Sequence, residues 1–284
     1  LNLSYAEWST QALELARSQS RASLAEDWLA QLEVCDPTAE LDEPKAQELA
    51  KGFTSYLSTS REAGFSACAP GRFLLPGDLE GSPVLTFCPL ERPEKPRSKM
   101  LYAEFERRFE SYKRKVVKPF FRDHFAKIDR QIVLVDTLGA IHAGPQAVED
   151  LRGAMGDILT SFRPGKNTWL SKVIRKRVEK ILFVATKADH LHHKQHTQLT
   201  AIMQAMLRDA KDRADFKGAK TSAMSIASLR ATVEQTVTHD GAPLDLVRGT
   251  LLETGKVAAM HAGELPQDPA HLLTPARQGA TEWL

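Results

Sequence analysis

A short polar segment, Thr186-Lys187-Ala188-Asp189, follows the apolar run 181–185 and has residue types suited to binding a nucleotide base. If 181–185 is a strand of a parallel sheet, the segment lies beyond the carboxyl end of that strand, where such sheets bind ligands. The Asp189 carboxylate can then accept hydrogen bonds from N1 and N2 of guanine, a donor pattern that adenine does not offer. The aliphatic stem of Lys187 can lie along the base while its ammonium group stays in water, and the Thr186 hydroxyl can brace the loop. The pattern therefore predicts a loop that reads guanine.

The same four residues also allow an interpretation without a ligand, in which Asp189 caps the following helix and Lys187 is an ordinary solvated side chain. A second segment favours the binding interpretation. Ser225-Ile226-Ala227-Ser228 ends the next, weaker strand, where the backbone N–H of Ala227 or Ser228 could reach the guanine O6. Because this segment could equally be an ordinary serine-rich strand end, both interpretations stay open at the level of sequence.

The sequence offers no matching site for the phosphates. The pattern G-x-x-x-x-G-K-[ST] is absent, and its nearest approach, from Gly249 to Val257, is too long and has valine where a metal-binding hydroxyl is needed. Asp136-Thr137-Leu138-Gly139, which follows the apolar run 132–135, allows two interpretations. Its aspartate could lie near Mg²⁺ with the Gly139 N–H at a γ-phosphate, or the aspartate could brace the turn after the strand.

Two further polar clusters do not predict sites of their own. Four histidines fall within seven residues, and the spacing of four between His192 and His196 would place both on one helix face; the four are His190, His192, His193 and His196. A zinc site needs a third ligand, and no nearby Cys or Glu supplies one, so no metal site is expected. The basic run from Lys166 to Lys180 has one interleaved aromatic residue, Trp169, which favours a solvated connector over a surface for nucleic acid or anionic lipid.

The apolar periodicity around these motifs predicts a mixed α/β chain. Residues 1 to about 60 have helical spacing broken at Pro37 and Pro44, and a long helix is expected before Pro119. Buried strands are expected at 84–88, 132–135 and 181–185, and a weaker strand at 222–227. Helices are expected at 145–162 and after the strand 181–185, the second with the apolar stripe Leu199, Ile202, Met203 and Met206. Fully apolar strands between amphipathic helices imply a parallel sheet covered on both faces. Residues after 238 are rich in Gly, Pro and Asp and predict mainly loop.

Composition is typical of a reduced globular protein. The net charge of +2 argues neither for nor against nucleic acid. Three widely spaced cysteines, an odd number, indicate an intracellular protein without a disulfide framework. No apolar run approaches the roughly 20 residues that span a bilayer. Because the first residue is Leu1 and the chain stops at Trp283-Leu284, both ends are expected to be cuts through a longer protein.

Several longer stretches resemble the YcjX-like family of bacterial P-loop nucleotidases linked to stress response. The matching blocks, in chain order, are Leu3-Ser4-Tyr5-Ala6-Glu7-Trp8-Ser9, Pro70-Gly71-Arg72-Phe73-Leu74-Leu75-Pro76-Gly77-Asp78, Lys115-Val116-Val117-Lys118, Asp129-Arg130-Gln131-Ile132-Val133-Leu134-Val135-Asp136 and Ala185-Thr186-Lys187-Ala188-Asp189-His190. The resemblance implies a P-loop core, with a large helical insertion, that binds and hydrolyses GTP. In that family the phosphate-binding loop and a D-x-P-G-E-W switch motif precede the position of Leu1, so the chain is expected to be inactive alone. Gly139 does not match a family position, which argues against the γ-phosphate interpretation of residues 136–139. Asp136 does match one, so it is expected to support the site from behind the base-binding residues.

The expected fold is therefore α/β, a P-loop three-layer core with a mainly parallel sheet, incomplete at both ends. A helical insertion domain is expected over 1–80 and the partial core over 81–284, with the helix at 99–128 as a candidate to pack with the helical domain. The expected ligands are GTP or GDP, bound by Thr186, Lys187, Asp189, Ala227 and Ser228 with Asp136 behind them, and Mg²⁺ bound mainly outside this chain.

The alternatives are an ATPase of the same fold and a non-enzymatic, stress-related interaction module. Besides the nucleotide, the helical domain is a candidate surface for a protein partner, and nucleic acid is not expected. The expected location is the cytoplasm, with peripheral association with the inner membrane as a further option. No residue of the chain is predicted to be catalytic.

Overall fold

The chain folds as two compact units, residues 1–127 and 128–284, each with a hydrophobic core of its own. A computed structural model describes residues 3–95, 97–123, 128–161, 179–213 and 219–283. The predicted basic connector from Lys166 to Arg177 and the end of the predicted helix at Phe162 lie outside these ranges. None of the described helices combines the length and the apolar character needed to cross a membrane.

The first unit is helical, as its periodicity predicts. Its helices are α1 (Tyr5–Ala16), α2 (Ala22–Glu33), α3 (Glu43–Glu62), α4 (Leu101–Tyr112) and α5 (Lys118–Asp123). A π-helical turn, Lys113–Val117, joins α4 to α5, so the helical path continues past Pro119 and the predicted interruption there is wrong. The wider turn changes the hydrogen-bond spacing just before the proline, which has no N–H of its own to donate.

An aromatic core holds this unit together. Trp8 stacks on Phe109 with ring centroids 4.9 Å apart, and Phe87 meets both rings edge-on. Residues 81–123 thus belong to the helical unit, whereas the sequence analysis assigns 81–284 to the core. The predicted strand at 84–88 is wrong: Pro83–Leu85 forms a short 3₁₀ turn, and the fully buried Phe87 and Cys88 pack into the aromatic core. The Tyr5 hydroxyl donates to the Cys88 carbonyl at 2.6 Å in place of a strand partner.

The second unit is built on a parallel sheet of three strands, which confirms the predicted parallel pairing. Its strands are β1 (Arg130–Val135), β2 (Lys180–Ala185) and β3 (Lys220–Ser225), in that order across the sheet. The weaker strand, predicted at 222–227, is β3 and ends two residues earlier, at Ser225. The register aligns Val135, Ala185 and Ser225, so all three strands end at one edge of the sheet.

Helices cover one face of this sheet. They are α6 (Thr137–Ala143), α7 (Pro145–Ser161), α8 (His196–Arg213) and α9 (Ala270–Arg277). The predicted stripe of α8 is confirmed, since Leu199, Ile202, Met203 and Met206 are all fully buried. On the opposite face, Ile132 and Leu134 are 59% and 66% exposed. The described residues therefore form two layers of the three that the sequence predicts.

The predicted loop after residue 238 is wrong, because that region contains an antiparallel sheet. Its strands are β4 (Thr232–His239), β5 (Ala242–Thr250) and β6 (Val257–Met260). Asp240 and Gly241 form the turn between β4 and β5, with φ of 49° and 79°. Two consecutive residues with positive φ match the tight turns that join hairpin strands, and Asp-Gly is a preferred pair there.

Candidate functional site

The predicted base-binding loop lies between the ends of its neighbouring strands. The Thr186 N–H and hydroxyl both donate to the Val135 carbonyl of β1, at 2.9 and 3.3 Å. On the other side, the Ala188 N–H donates to the Ile226 carbonyl, just after β3, at 3.1 Å. The loop is thus hydrogen-bonded to the chain at both neighbouring strand ends, and this limits how far its side chains can move.

Lys187 occupies a left-handed backbone conformation, with φ 60° and ψ 30°. A residue with a Cβ adopts this region at a cost of roughly 1–2 kcal/mol. Its side chain reaches Asp136, where Nζ lies 2.5 Å from Oδ2, and both side chains are about half exposed. The ion pair therefore links the loop after β2 to the end of β1.

Asp136 braces the start of α6. Its Oδ1 accepts the Gly139 N–H at 3.0 Å, which makes Asp136 the N-cap of that helix. A Cβ at position 139 would lie 2.8 Å from the Asp136 carboxylate, so any larger residue there would force that carboxylate out of its capping position. Of the two interpretations of Asp136-Thr137-Leu138-Gly139, the geometry supports the bracing one, since the Gly139 N–H is already engaged within the turn.

Asp189 lies half-buried at the same edge of the sheet. Its Oδ2 accepts the Ala231 N–H at 2.9 Å, and its carbonyl accepts the Thr232 hydroxyl. Within the described ranges, Oδ1 has no hydrogen-bond partner. The helix-capping interpretation of Asp189 is wrong, because α8 begins only at His196 and the carboxylate contacts the segment before β4 instead.

The second predicted segment lies beside this loop. The Ile226 N–H donates to the Ala185 carbonyl at 2.9 Å, and this bond carries the chain past the end of β2. Ala227, half-buried, and Ser228, exposed, follow directly. Among the residues that the structure describes, neither backbone N–H has an acceptor. The predicted residues and Asp136 thus share one edge of the sheet.

His196 is a support that sequence reasoning missed. Its Nε2 lies 2.8 Å from the Ala188 carbonyl and 3.3 Å from that of Leu191, so it ties the loop to the start of α8. The prediction that His192 and His196 share a helix face is wrong. His192 is extended and precedes the 3₁₀ turn His193–Gln195, which separates it from α8.

The hairpin of β4 and β5, which the sequence did not predict, also holds the base loop in place. The His193 N–H donates to Glu234 at 3.2 Å, and the Lys194 ammonium lies 2.7 Å from Asp245. The hairpin therefore contacts both Asp189 and the residues just after it. The signal that could have found it is Asp240-Gly241 directly after a segment rich in Val and Thr.

The chain matches one protein family and several curated relatives, two of which are described below. The model of the YcjX-like family matches residues 1–283. These two relatives are both named Ras-like GTPase YcjX, and come from Escherichia coli (strain K12) and Shewanella oneidensis (strain MR-1). They are 35% identical over 270 residues and 31% identical over 275 residues, matches that include 92% and 94% of this chain. The chain spans 58% and 56% of the lengths of these relatives.

Proposed function

We propose that this chain, which belongs to the YcjX-like family, carries the guanine-binding part of a GTP hydrolase. The observation that carries the proposal is the Asp189 carboxylate, half-buried where β1, β2 and β3 end, whose Oδ1 has no hydrogen-bond partner among the described residues. The printed name of the two relatives, Ras-like GTPase, supports nucleotide hydrolysis as the activity. Because the chain spans little more than half of those relatives, the activity of the whole protein is part of the proposal.

Base selection would depend on the two carboxylate oxygens of Asp189. Oδ1 would accept the guanine N1–H, and Oδ2 would accept one N2–H while keeping its bond from the Ala231 N–H. Each carboxylate oxygen has two acceptor positions, so Oδ2 can serve both donors. Adenine has an unprotonated N1 and no amino group at C2, so it would leave both acceptors without partners.

The opposite edge of the base would meet backbone donors. The N–H groups of Ala227 and Ser228 face no described acceptor and can donate to the guanine O6. Adenine has an amino group at that position, which would place donor against donor. Selection for guanine would thus come from two independent contacts, one from a side chain and one from the backbone.

The Lys187 side chain, held by Asp136, would pack against the face of the base. The ion pair at 2.5 Å holds the Lys187 ammonium at the end of β1, so the aliphatic stem is the part available to the purine ring. Thr186 fixes the start of the loop through Val135. This pre-organisation reduces the ordering that nucleotide binding would otherwise require.

The residues proposed above would bind the guanine base, and none of them would bind the phosphates. GTP or GDP would bring Mg²⁺, which neutralises charge on the phosphates when bound. The sequence contains no G-x-x-x-x-G-K-[ST], and no described residue is assigned to phosphate binding or to catalysis. We propose that other parts of the full-length protein supply those groups.

The test is a change of base preference in the full-length protein. With its oxygen toward N1–H, Asn at position 189 presents an amide donor where guanine has its N2 donor, and it gives up the bond from the Ala231 N–H. Xanthine carries a carbonyl at C2 and accepts from that amide. Asp189→Asn should therefore weaken GTP binding by about 100-fold, since each mismatched polar contact costs about 1–3 kcal/mol, and should improve binding of xanthosine triphosphate. Titration with fluorescent nucleotide analogues measures both affinities.

The control is Asp27→Asn, an exposed aspartate of the first unit, which should leave all nucleotide affinities unchanged. Equal losses for GTP and ATP in Asp189→Asn, without any gain for the xanthine nucleotide, would contradict the guanine assignment. A wild-type protein that binds ATP as tightly as GTP would favour the ATPase alternative instead.

A further inference from the structure

Beside the base loop, two adjacent histidines lie close to two carboxylates that come much later in the sequence. His192 and His193 precede α8, and Glu234 and Asp245 lie on β4 and β5. The His193 Nδ1 is 2.6 Å from the Glu234 Oε2, and the His192 Nε2 is 3.9 Å from that same oxygen and 3.8 Å from the Asp245 Oδ1. We call these four residues the His–carboxylate cluster. It supplies the carboxylates that the sequence did not place near the histidines.

His192 is the residue that most needs a partner. It is only 6% exposed, and its Nε2 points between the two carboxylates without a hydrogen bond to a described residue. Its other ring nitrogen has only a long contact of 3.5 Å from the Lys194 N–H, which is at the weak limit of hydrogen bonding. A buried imidazole is ordinarily better satisfied than this.

Glu234 and Asp245 place carboxylate oxygens beside the ring nitrogens of His192 and His193. Imidazole nitrogens and carboxylate oxygens are both ordinary ligands of zinc.

We propose that the His–carboxylate cluster binds a divalent cation of the zinc type. The His192 Nε2, the His193 Nδ1 and the Glu234 Oε2 would form the core of the site, with ligand atoms within 4.8 Å of one another, and the Asp245 Oδ1, 3.8 Å from the His192 Nε2, would close on the cation as the fourth ligand. Mixed imidazole and carboxylate ligands suit Zn²⁺ and its neighbours in the transition series, whereas Mg²⁺ and Ca²⁺ prefer oxygen alone. In a tetrahedral zinc site with bonds near 2.0–2.1 Å, ligand atoms are about 3.3 Å apart.

Three of the observed separations are close to that value, and the ligand atoms of His192, His193 and Glu234 all lie within 4.8 Å of one another. Separations of 3.8 and 3.9 Å must shorten, and the contact of 2.6 Å must lengthen, each by well under an ångström. The His193 side chain is 63% exposed and free to make this adjustment. Binding through the His192 Nε2 places the ring proton on Nδ1, and the weak 3.5 Å contact to Lys194 is then lost.

Two basic residues compete with the cation for the carboxylates. The Lys194 ammonium lies 2.7 Å from the Asp245 Oδ2, and Arg230 lies 3.2 Å from the Glu234 Oε1. Each contacts the oxygen that the cation would not use, so both can stay while the site is filled. Their positive charge still opposes the cation, and removing Lys194 should therefore tighten binding.

A cation bound in this cluster would fix the position of the β4–β5 hairpin. The same hairpin and the residue before it provide the Thr232 hydroxyl and the Ala231 N–H that contact Asp189. The cation would join this hairpin to the segment after the base loop. The inference does not depend on the proposed function, since the cluster exists whatever ligand Asp189 binds.

The experiment measures Zn²⁺ binding directly, with untagged full-length protein and the metal alone. Isothermal titration should give one tight site per chain, in the micromolar range or tighter. Glu234→Gln keeps the shape of the side chain but removes its charge and should weaken that site at least about 100-fold, because loss of outer contacts alone commonly costs 10–100-fold. Circular dichroism checks that this variant is folded, and His192→Ala should show the same loss.

Two further variants sharpen the result. His239→Ala removes an exposed histidine at the far end of the same hairpin and should bind Zn²⁺ as wild type does. Lys194→Met should bind it several-fold more tightly. Wild-type protein without a stoichiometric site, or Glu234→Gln with wild-type affinity, would overturn the proposal. Unchanged affinity in Lys194→Met would overturn the role of Asp245. Since nucleotide is absent throughout, failure here is distinct from failure of the guanine assignment.

Discussion

The contact between Asp136 and Gly139 gives a prediction that separates bracing from charge. Asp136 makes two interactions with different oxygens: Oδ1 caps α6 at the Gly139 N–H, and Oδ2 pairs with Lys187. Asp136→Ala removes both, whereas Asp136→Asn keeps an acceptor for the cap and removes the charge. The cap is the larger contribution, because the ion pair is about half exposed on both sides.

The magnitudes follow from these two contacts. Loss of an N-cap side chain costs about 1 kcal/mol, and an exposed ion pair contributes about 0–1 kcal/mol. Asp136→Ala should therefore destabilise α6 by about 1–2 kcal/mol, and Asp136→Asn by about 0.5 kcal/mol or less. Thr137 and Ala140 anchor the helix in the core, so the change should be confined to its first turn and neighbouring amides.

A second substitution makes the test internal to the protein. A Cβ at position 139 would lie 2.8 Å from the Asp136 carboxylate, so Gly139→Ala should destabilise wild-type protein. In the Asp136→Ala background the obstruction is absent, and the same change should stabilise α6 by up to about 1 kcal/mol, the helical preference of Ala over Gly. The two changes should thus be strongly non-additive.

Amide hydrogen exchange followed by mass spectrometry is the appropriate assay, because two separate units make one global unfolding curve ambiguous. Peptides covering 137–143 report on α6, and peptides from α1 serve as the control. If Asp136→Asn is as damaging as Asp136→Ala, the charge and not the cap stabilises this turn. If the changes at 136 and 139 add without coupling, the bracing interpretation is refuted.

The remaining predictions concern the base loop and the first unit. Lys187→Gly should leave exchange in the loop unchanged or slower, because relief of about 1 kcal/mol of left-handed strain offsets the lost ion pair, while GTP affinity falls; faster exchange would contradict this. Hydrogen bonds from Arg108 hold the pKa of Glu43 below its ordinary value, so this pair stabilises the fold above that ordinary value and its contribution is lost as pH falls through the lowered pKa. Glu43→Gln should flatten that acid limb in urea unfolding of the first unit, and an unchanged slope would contradict the assignment.

Sequence reasoning succeeded where a local pattern determines the structure. The run 181–185 is apolar on both faces and could only be a buried strand, so the position of Thr186-Lys187-Ala188-Asp189 beyond its carboxyl end follows directly. The same logic placed Asp136 after β1. Which of the two roles of Asp136 holds could not be predicted, because capping depends on the backbone position of Gly139.

The errors arise where tertiary packing overrides composition. The apolar run 84–88 resembles a strand, but Phe87 finds its neighbours among aromatic rings of the helical unit. The hairpin was missed for the opposite reason: β4 is mostly polar and exposed, and the Gly, Pro and Asp residues in and beside β5 favoured a loop. The pairing of His193 with Glu234 joins residues 41 positions apart and depends wholly on that hairpin.

The missed hairpin bears on the specificity proposed for Asp189. A carboxylate on an exposed loop can rotate freely, and a freely rotating group distinguishes bases poorly because binding must first order it. The Ala231 N–H fixes one oxygen of Asp189, and this limits rotation of the carboxylate as a whole. Ala231 is in turn positioned by Thr232 and by the contacts of Glu234 with His193. The sequence motif thus supplies the carboxylate, while its orientation depends on a hairpin that begins more than 40 residues later. Substitutions at Glu234 should therefore lower GTP affinity, although Glu234 itself would not contact the nucleotide.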